Sequence, residues 1–149
     1  MKTILALVDF SHVTAKVLAQ AQALAKAFHA KVIIMHVLKP ERVVIDLGLA
    51  SPTVSRPPRE EVVEAGQAKL LELRDSLAAA GIDVTTQQMP DFSVEKILDE
   101  SRKLAADVII VGSHHHSALY NLFVGSFTND LLKLASCPVL VVPVSEDLP

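Results

Sequence analysis

Tryptophan is absent from this 149-residue sequence, and aromatic residues make up only 4% of it. A base-stacking platform for single-stranded nucleic acid needs several aromatic faces, so that class is disfavoured. Basic runs are missing as well. Fourteen Lys and Arg face 17 Asp and Glu, for a net charge of −3. Nucleic-acid partners select a basic patch, so none is expected here. The single cysteine, Cys137, excludes an internal disulfide and agrees with a reducing compartment. Half the residues are apolar, yet the apolar runs are only strand-sized. A membrane span needs roughly 20 consecutive apolar residues, so no membrane segment is expected. The start, MKTILALVDFS, has one lysine and a short apolar run that meets an aspartate at once. That is not a secretory signal, and the expected location is cytoplasmic. Phosphate and hydrolase signatures are also lacking: there is no GxxxxGK[ST], no GxGxxG after the first strand, and no GxSxG. A small-molecule binder, a small enzyme and a protein-interaction module remain.

What is present is alternation. Short β-branched runs at 3–8, 31–37, 83–89, 107–112 and 138–142 read as strands, with longer periodic segments between them. The first helix is expected over about 12–28, with Val13, Val17, Ala21, Leu24 and Phe28 on its inner face. The second starts near Arg59, carries Glu60, Glu61 and Glu64 early, and ends against Gly81, as the helix dipole and capping favour. A third opens at Ser93, a good N-cap, and lines up Val94, Ile97, Leu98, Ser101 and Leu104. The fourth follows Gly125, with Phe127, Leu131, Leu134 and Ala135 turned inward. Strand–helix alternation predicts a single α/β domain over 1–149: an open five-stranded parallel sheet with helices on both faces. The polar DVTTQQM reads as an exposed edge. Residues 39–58 hold four prolines and no clear period, and are expected to form a surface insertion of low order.

Asp9 follows the first strand, where open parallel sheets bind ligands beyond their carboxyl ends. It reads either as a ligand acid or as a turn aspartate serving Ser11. The stretch GSHHHSALYNLFVGS, 112–126, holds two glycines that fit either tight turns or a backbone approach to phosphate. The helix start behind Gly125 offers free N–H groups, with the hydroxyls of Ser126 and Thr128 beside them. His114, His115 and His116 are sequential, so their side chains diverge. Zinc wants about four convergent ligands, and no metal site is expected.

These residues resemble the universal stress protein family. The likeness runs through LALVDFS, IIMHV and DVIIVGSHHHSALYNLFVGSFTNDLLKLASCPVLVVPV, across essentially the whole chain. The family's loop, G-x2-G-x9-G-[ST], binds ATP phosphates in its nucleotide-binding members. Gly112 fills the first position and Gly125-Ser126 the last two, while His115 stands where the middle glycine belongs. The resemblance places Val8 and Asp9 against adenine and ribose, and Val37 against the adenine. It places His114 near the phosphates, with Phe127 and Thr128 following the final serine.

The resemblance further implies sheet order 3-2-1-4-5 and a homodimer through the last strand, Val139 to Val142. An all-apolar edge strand independently calls for such cover. The expected function is binding of ATP, AMP or a related adenine nucleotide in a stress-response protein. Magnesium bridging the phosphates is compatible, with no ligand residues assigned to it. No catalytic base stands out, so turnover is at most that of a slow ATPase. The alternative is a dimeric interaction module of the same fold without nucleotide, favoured by His115 and opposed by the intact Gly125-Ser126.

Overall fold

The computed structural model describes residues 1–90, 93–113 and 126–143. Its centre is a five-stranded parallel sheet built from β1 (Thr3–Val8), β2 (Lys31–Val37), β5 (Val84–Met89), β6 (Val108–Gly112) and β7 (Val139–Val142). The strand order is β5-β2-β1-β6-β7. With a separate hairpin of β3 (Glu41–Val44) and β4 (Thr53–Arg56) set aside, this is the expected 3-2-1-4-5 order. The order reverses at β1, which pairs with β2 on one side and β6 on the other.

Alternation along β1 builds two cores at once. Ile4, Ala6 and Val8 join Val32 and Ile34 beneath α1 (Thr14–Phe28) and α2 (Glu60–Ala79). Leu5 and Leu7 join Ile33, Met35 and Ile109 beneath α3 (Val94–Lys103) and α4 (Ser126–Leu134). Ile4, Leu5, Ile34, Met35, Ile109 and Ile110 are fully buried. Each such side chain contributes about 1.5–3 kcal/mol of transfer free energy, so both faces of the sheet drive folding. The polar β5 stands at one edge, as its sequence implied.

Helix boundaries follow local chemistry. Ser93 caps α3, its Oγ accepting the Lys96 N–H at 3.4 Å. Gly81, at φ +82°, ends α2: its own N–H reaches the Ala78 carbonyl, and the Ile82 N–H reaches that of Leu77. Such a left-handed exit is what glycine permits. At two positions the inner faces are narrower than their periodicity suggests. Phe28 and Leu134 are half exposed rather than inward. Each is the final residue of its helix, beyond the last buried residues Ala25 and Leu131.

The segment expected to lack order contains an antiparallel hairpin, β3 (Glu41–Val44) with β4 (Thr53–Arg56). Its prolines do not oppose this, because Pro40, Pro52, Pro57 and Pro58 all lie outside the paired residues. Proline there costs no ladder hydrogen bond. The Glu41 carboxylate accepts from Arg56 Nη2 at 2.8 Å and Arg59 Nε at 2.9 Å, tying the base of the hairpin to the start of α2. At the tip, the Gly48 N–H donates to Asp46 Oδ1 at 2.9 Å, and Leu47 and Leu49 are exposed. No described helix is long and apolar enough to cross a membrane.

Candidate functional site

Beyond the carboxyl ends of β1, β2 and β6, where the strand order reverses, lies a cavity of about 170 Å³. Its floor is apolar, formed by Leu7, Val8, Val37 and Val111. Its walls come from the starts of α1 and α4, through Val13, Thr14, Phe127 and Thr128. Asp9 and Lys39 bring opposite charges to the lining. An apolar slot with a few polar groups is the usual form of a small-molecule site, and the switch point is its usual address in this fold class.

Of the residues singled out in the sequence, Val8, Asp9, Val37, Gly112, Phe127 and Thr128 meet around this cavity. Ser126 is exposed at the first position of α4 and does not line it. His114, His115 and Gly125 lie outside the described residues. Leu7, Val13, Thr14, Lys39 and Val111 line the cavity without having been anticipated. Lys39 had a signal available: it is the first charge after β2 and sits two residues beyond Val37. Val13 and Thr14 had none apart from their place in the turn after Asp9.

Asp9 serves its own turn as well as the cavity. Its Oδ1 accepts the Ser11 N–H at 3.0 Å and lies 3.5 Å from the Thr14 hydroxyl. Ser11 Oγ in turn accepts the Val13 N–H at 3.4 Å, which links the turn to the opening of α1. The two sequence readings of Asp9 are therefore compatible.

Gly112 has a packing role that its sequence position does not show. Its φ lies outside the left-handed region. Instead, a Cβ there would meet Val13 Cγ1 at 2.6 Å and Cγ2 at 2.9 Å. The glycine lets α1 sit close against the end of β6, and that packing forms one corner of the cavity.

A larger groove, about 990 Å³, lies among the hairpin base, α2 and β5, lined by residues such as Pro57, Leu71 and Thr86. It is bigger but lies at the β5 edge of the sheet, away from β1 and β6 where the strand order reverses. Among the described residues no group of His, Cys, Asp and Glu could hold a metal ion. Burial raises the Cys137 thiol above its ordinary pKa, with Asp107 adding to the effect, which favours the protonated thiol.

The family model for the universal stress protein family matches residues 1–143. The universal stress protein YxiE of Bacillus subtilis is 30% identical over 141 residues, covering 91% of this chain and 94% of that one. The solved structure of MJ0577, a universal stress protein of Methanocaldococcus jannaschii, aligns with a TM-score of 0.74. It is 24% identical and covers 98% of both chains. A universal stress protein from Archaeoglobus fulgidus, solved in complex with dAMP, aligns with a TM-score of 0.67 at 18% identity, over 95% of this chain and 97% of that one.

Proposed function

This chain belongs to the universal stress protein family, and from that premise we propose that its switch-point cavity binds ATP or a related adenine nucleotide. One observation carries the reading. Val8, Asp9, Val37, Gly112, Phe127 and Thr128, scattered over more than a hundred residues of sequence, come together around a single cavity. The dAMP complex of the Archaeoglobus fulgidus relative supports the choice of an adenine ligand.

In this reading the base lies between Val37 and the floor of Val8 and Val111, and Asp9 accepts hydrogen bonds from the ribose. The phosphates run toward the start of α4, whose partial positive charge suits an anion. By sequence Gly125 and Ser126 belong to that end, and the family resemblance assigns His114 and His115, which precede it in the sequence, to the phosphates. The buried Thr128 hydroxyl supplies a polar contact inside the cavity. Magnesium accompanies the phosphates. Hydrolysis is slow, because positioning without a base or an arginine finger gives little rate. The protein acts in the cytoplasm as a stress-response homodimer joined through Val139 to Val142.

His115, in place of the family's middle loop glycine, favours a second reading, a dimeric interaction module without nucleotide. Titration calorimetry with ATP and magnesium separates the two. Wild-type binding that weakens at least about tenfold in both Asp9→Ala and Gly125→Arg supports the nucleotide site, tenfold being about 1.4 kcal/mol. A folded wild-type protein that binds neither ATP nor AMP rejects it and leaves the interaction module.

A further inference from the structure

Behind Asp9, on the α2 face of the sheet, lies a cluster that the nucleotide reading leaves unused. Phe10 follows Asp9 with φ at +60°, a left-handed conformation that a bulky side chain rarely adopts. Something must hold it there. Its ring packs on the His36 imidazole, with centroids 4.2 Å apart and planes tilted by 36°. Lys69 Nζ of α2 stands 5.3 Å from the same ring, within cation–π range. His36 is the register partner of Val8, so the imidazole sits beside the residue that precedes Asp9. Gln88 of β5 places its Nε2 3.4 Å from His36 Nδ1. Gly66 gives both groups room, since a Cβ there would come within 2.3 Å of the Gln88 amide and 3.4 Å of His36 Nδ1.

We propose that His36 and Phe10 are positioning residues, whose stacked rings hold the left-handed turn after β1 and so fix the Asp9 carboxylate at the cavity wall. The proposal rests on the reading of that cavity as a nucleoside site. Its protonation behaviour follows from the surroundings. Burial lowers the His36 pKa below the ordinary value, Asp9 opposes that, and Lys69 and Lys39 reinforce it. The neutral ring is therefore the packed one, with Nδ1 able to accept from Gln88. Protonation removes that acceptor and sets a cation beside two lysines, which loosens the stack despite the attraction of Asp9. Nucleotide affinity accordingly falls as pH drops through the folded pKa of His36.

The test has one arm without ligand. The Ser11 amide, held by Asp9 Oδ1 at 3.0 Å, reports the carboxylate position in proton–nitrogen spectra. It is expected to titrate with His36 in the wild type, to move at all pH values in His36→Ala, and to stay in place without titrating in His36→Phe, which keeps a stacking ring. A Ser11 amide unmoved in His36→Ala overturns the proposal, whatever the protein binds. The second arm measures ATP affinity. His36→Ala should lose about tenfold, His36→Phe should lose little and show a flatter pH profile, and His36→Ala should add nothing in an Asp9→Ala background. An equal loss in that background means general loosening and also overturns the proposal. Absence of ATP binding in the wild type rejects the nucleotide reading, while the Ser11 amide still decides the positioning role.

Discussion

At Gly112 one missing carbon sets how closely α1 approaches the sheet. Val13 is stiff at its branched Cβ, and its two methyl groups occupy the space that an alanine methyl would need. Gly112→Ala should therefore lower stability by about 1–3 kcal/mol, the usual cost of overpacking. Val13→Ala, destabilising alone, should recover part of that loss when the two are combined. Urea unfolding of the two single variants and the double variant measures this, and simple additivity would contradict it. The sequence marked Gly112 but did not show the packing contact that also requires it. A glycine after a strand announces freedom or close approach, yet nothing in the linear order says that the approaching group is Val13, 99 positions earlier. The Phe10–His36 stack was hidden in the same way. Each residue is ordinary in its own segment, and only the pairing of β1 with β2 brings them together.

Among the elements, the hairpin is the least supported. Two-stranded ribbons are marginal in water on their own, and this one is anchored at its base by Glu41. Hydrogen bonds from Arg56, and next from Arg59, lower the Glu41 pKa. A depressed carboxylate pKa stabilises the paired form above the unfolded value and loses that effect as pH falls through the folded one. The strand-like chemical shifts of Val43 and Val54 should therefore shrink on acidification to about pH 3, below the usual carboxylate range. Glu41→Gln should show the shrinkage already at neutral pH. Identical shifts in the variant and the wild type would show that the anchor is dispensable. The hairpin was obscured in sequence by its prolines. Their number suggested disorder, while their positions, all outside the ladder, permit pairing. The β-branched runs VVI and TVS around Asp46 and Gly48 were the available signal. The central strands were plain because burial on both faces imposes continuous apolar runs, and the four helices because one buried face imposes a period. The exceptions, Phe28 and Leu134, lie at helix ends, where periodicity continues after the packing stops.

For the whole molecule, the consequential surface is the free edge of β7. Leu140 is 37% exposed on that strand, with Val139 and Val141 partly buried beside it. The proposed homodimer covers this edge. Leu140→Lys should then shift sedimentation from dimer to monomer while leaving ATP affinity within about twofold, since the cavity lies at β1, β2 and β6. A wild-type monomer, or an unchanged dimer in the variant, would place the association elsewhere or remove it. The strand order itself was legible only through family resemblance, because alternation fixes a parallel sheet but not which strands are neighbours. That order has a consequence for the chain during synthesis. β1 is made before both of its neighbours, and one of them, β6, begins only at residue 108. The join is stapled by Asp107, whose Oδ2 accepts the N–H groups of Lys2 at 2.6 Å and Thr3 at 2.9 Å. Until β6, Val108–Gly112, has left the ribosome, β1 can pair only with β2, and one flank of this fully buried strand stays open. Closure of such distant contacts is slow and leaves apolar strand edges exposed in the meantime. The nascent chain is thus most prone to aggregation, and most in need of a chaperone, in the interval between β2 and β6.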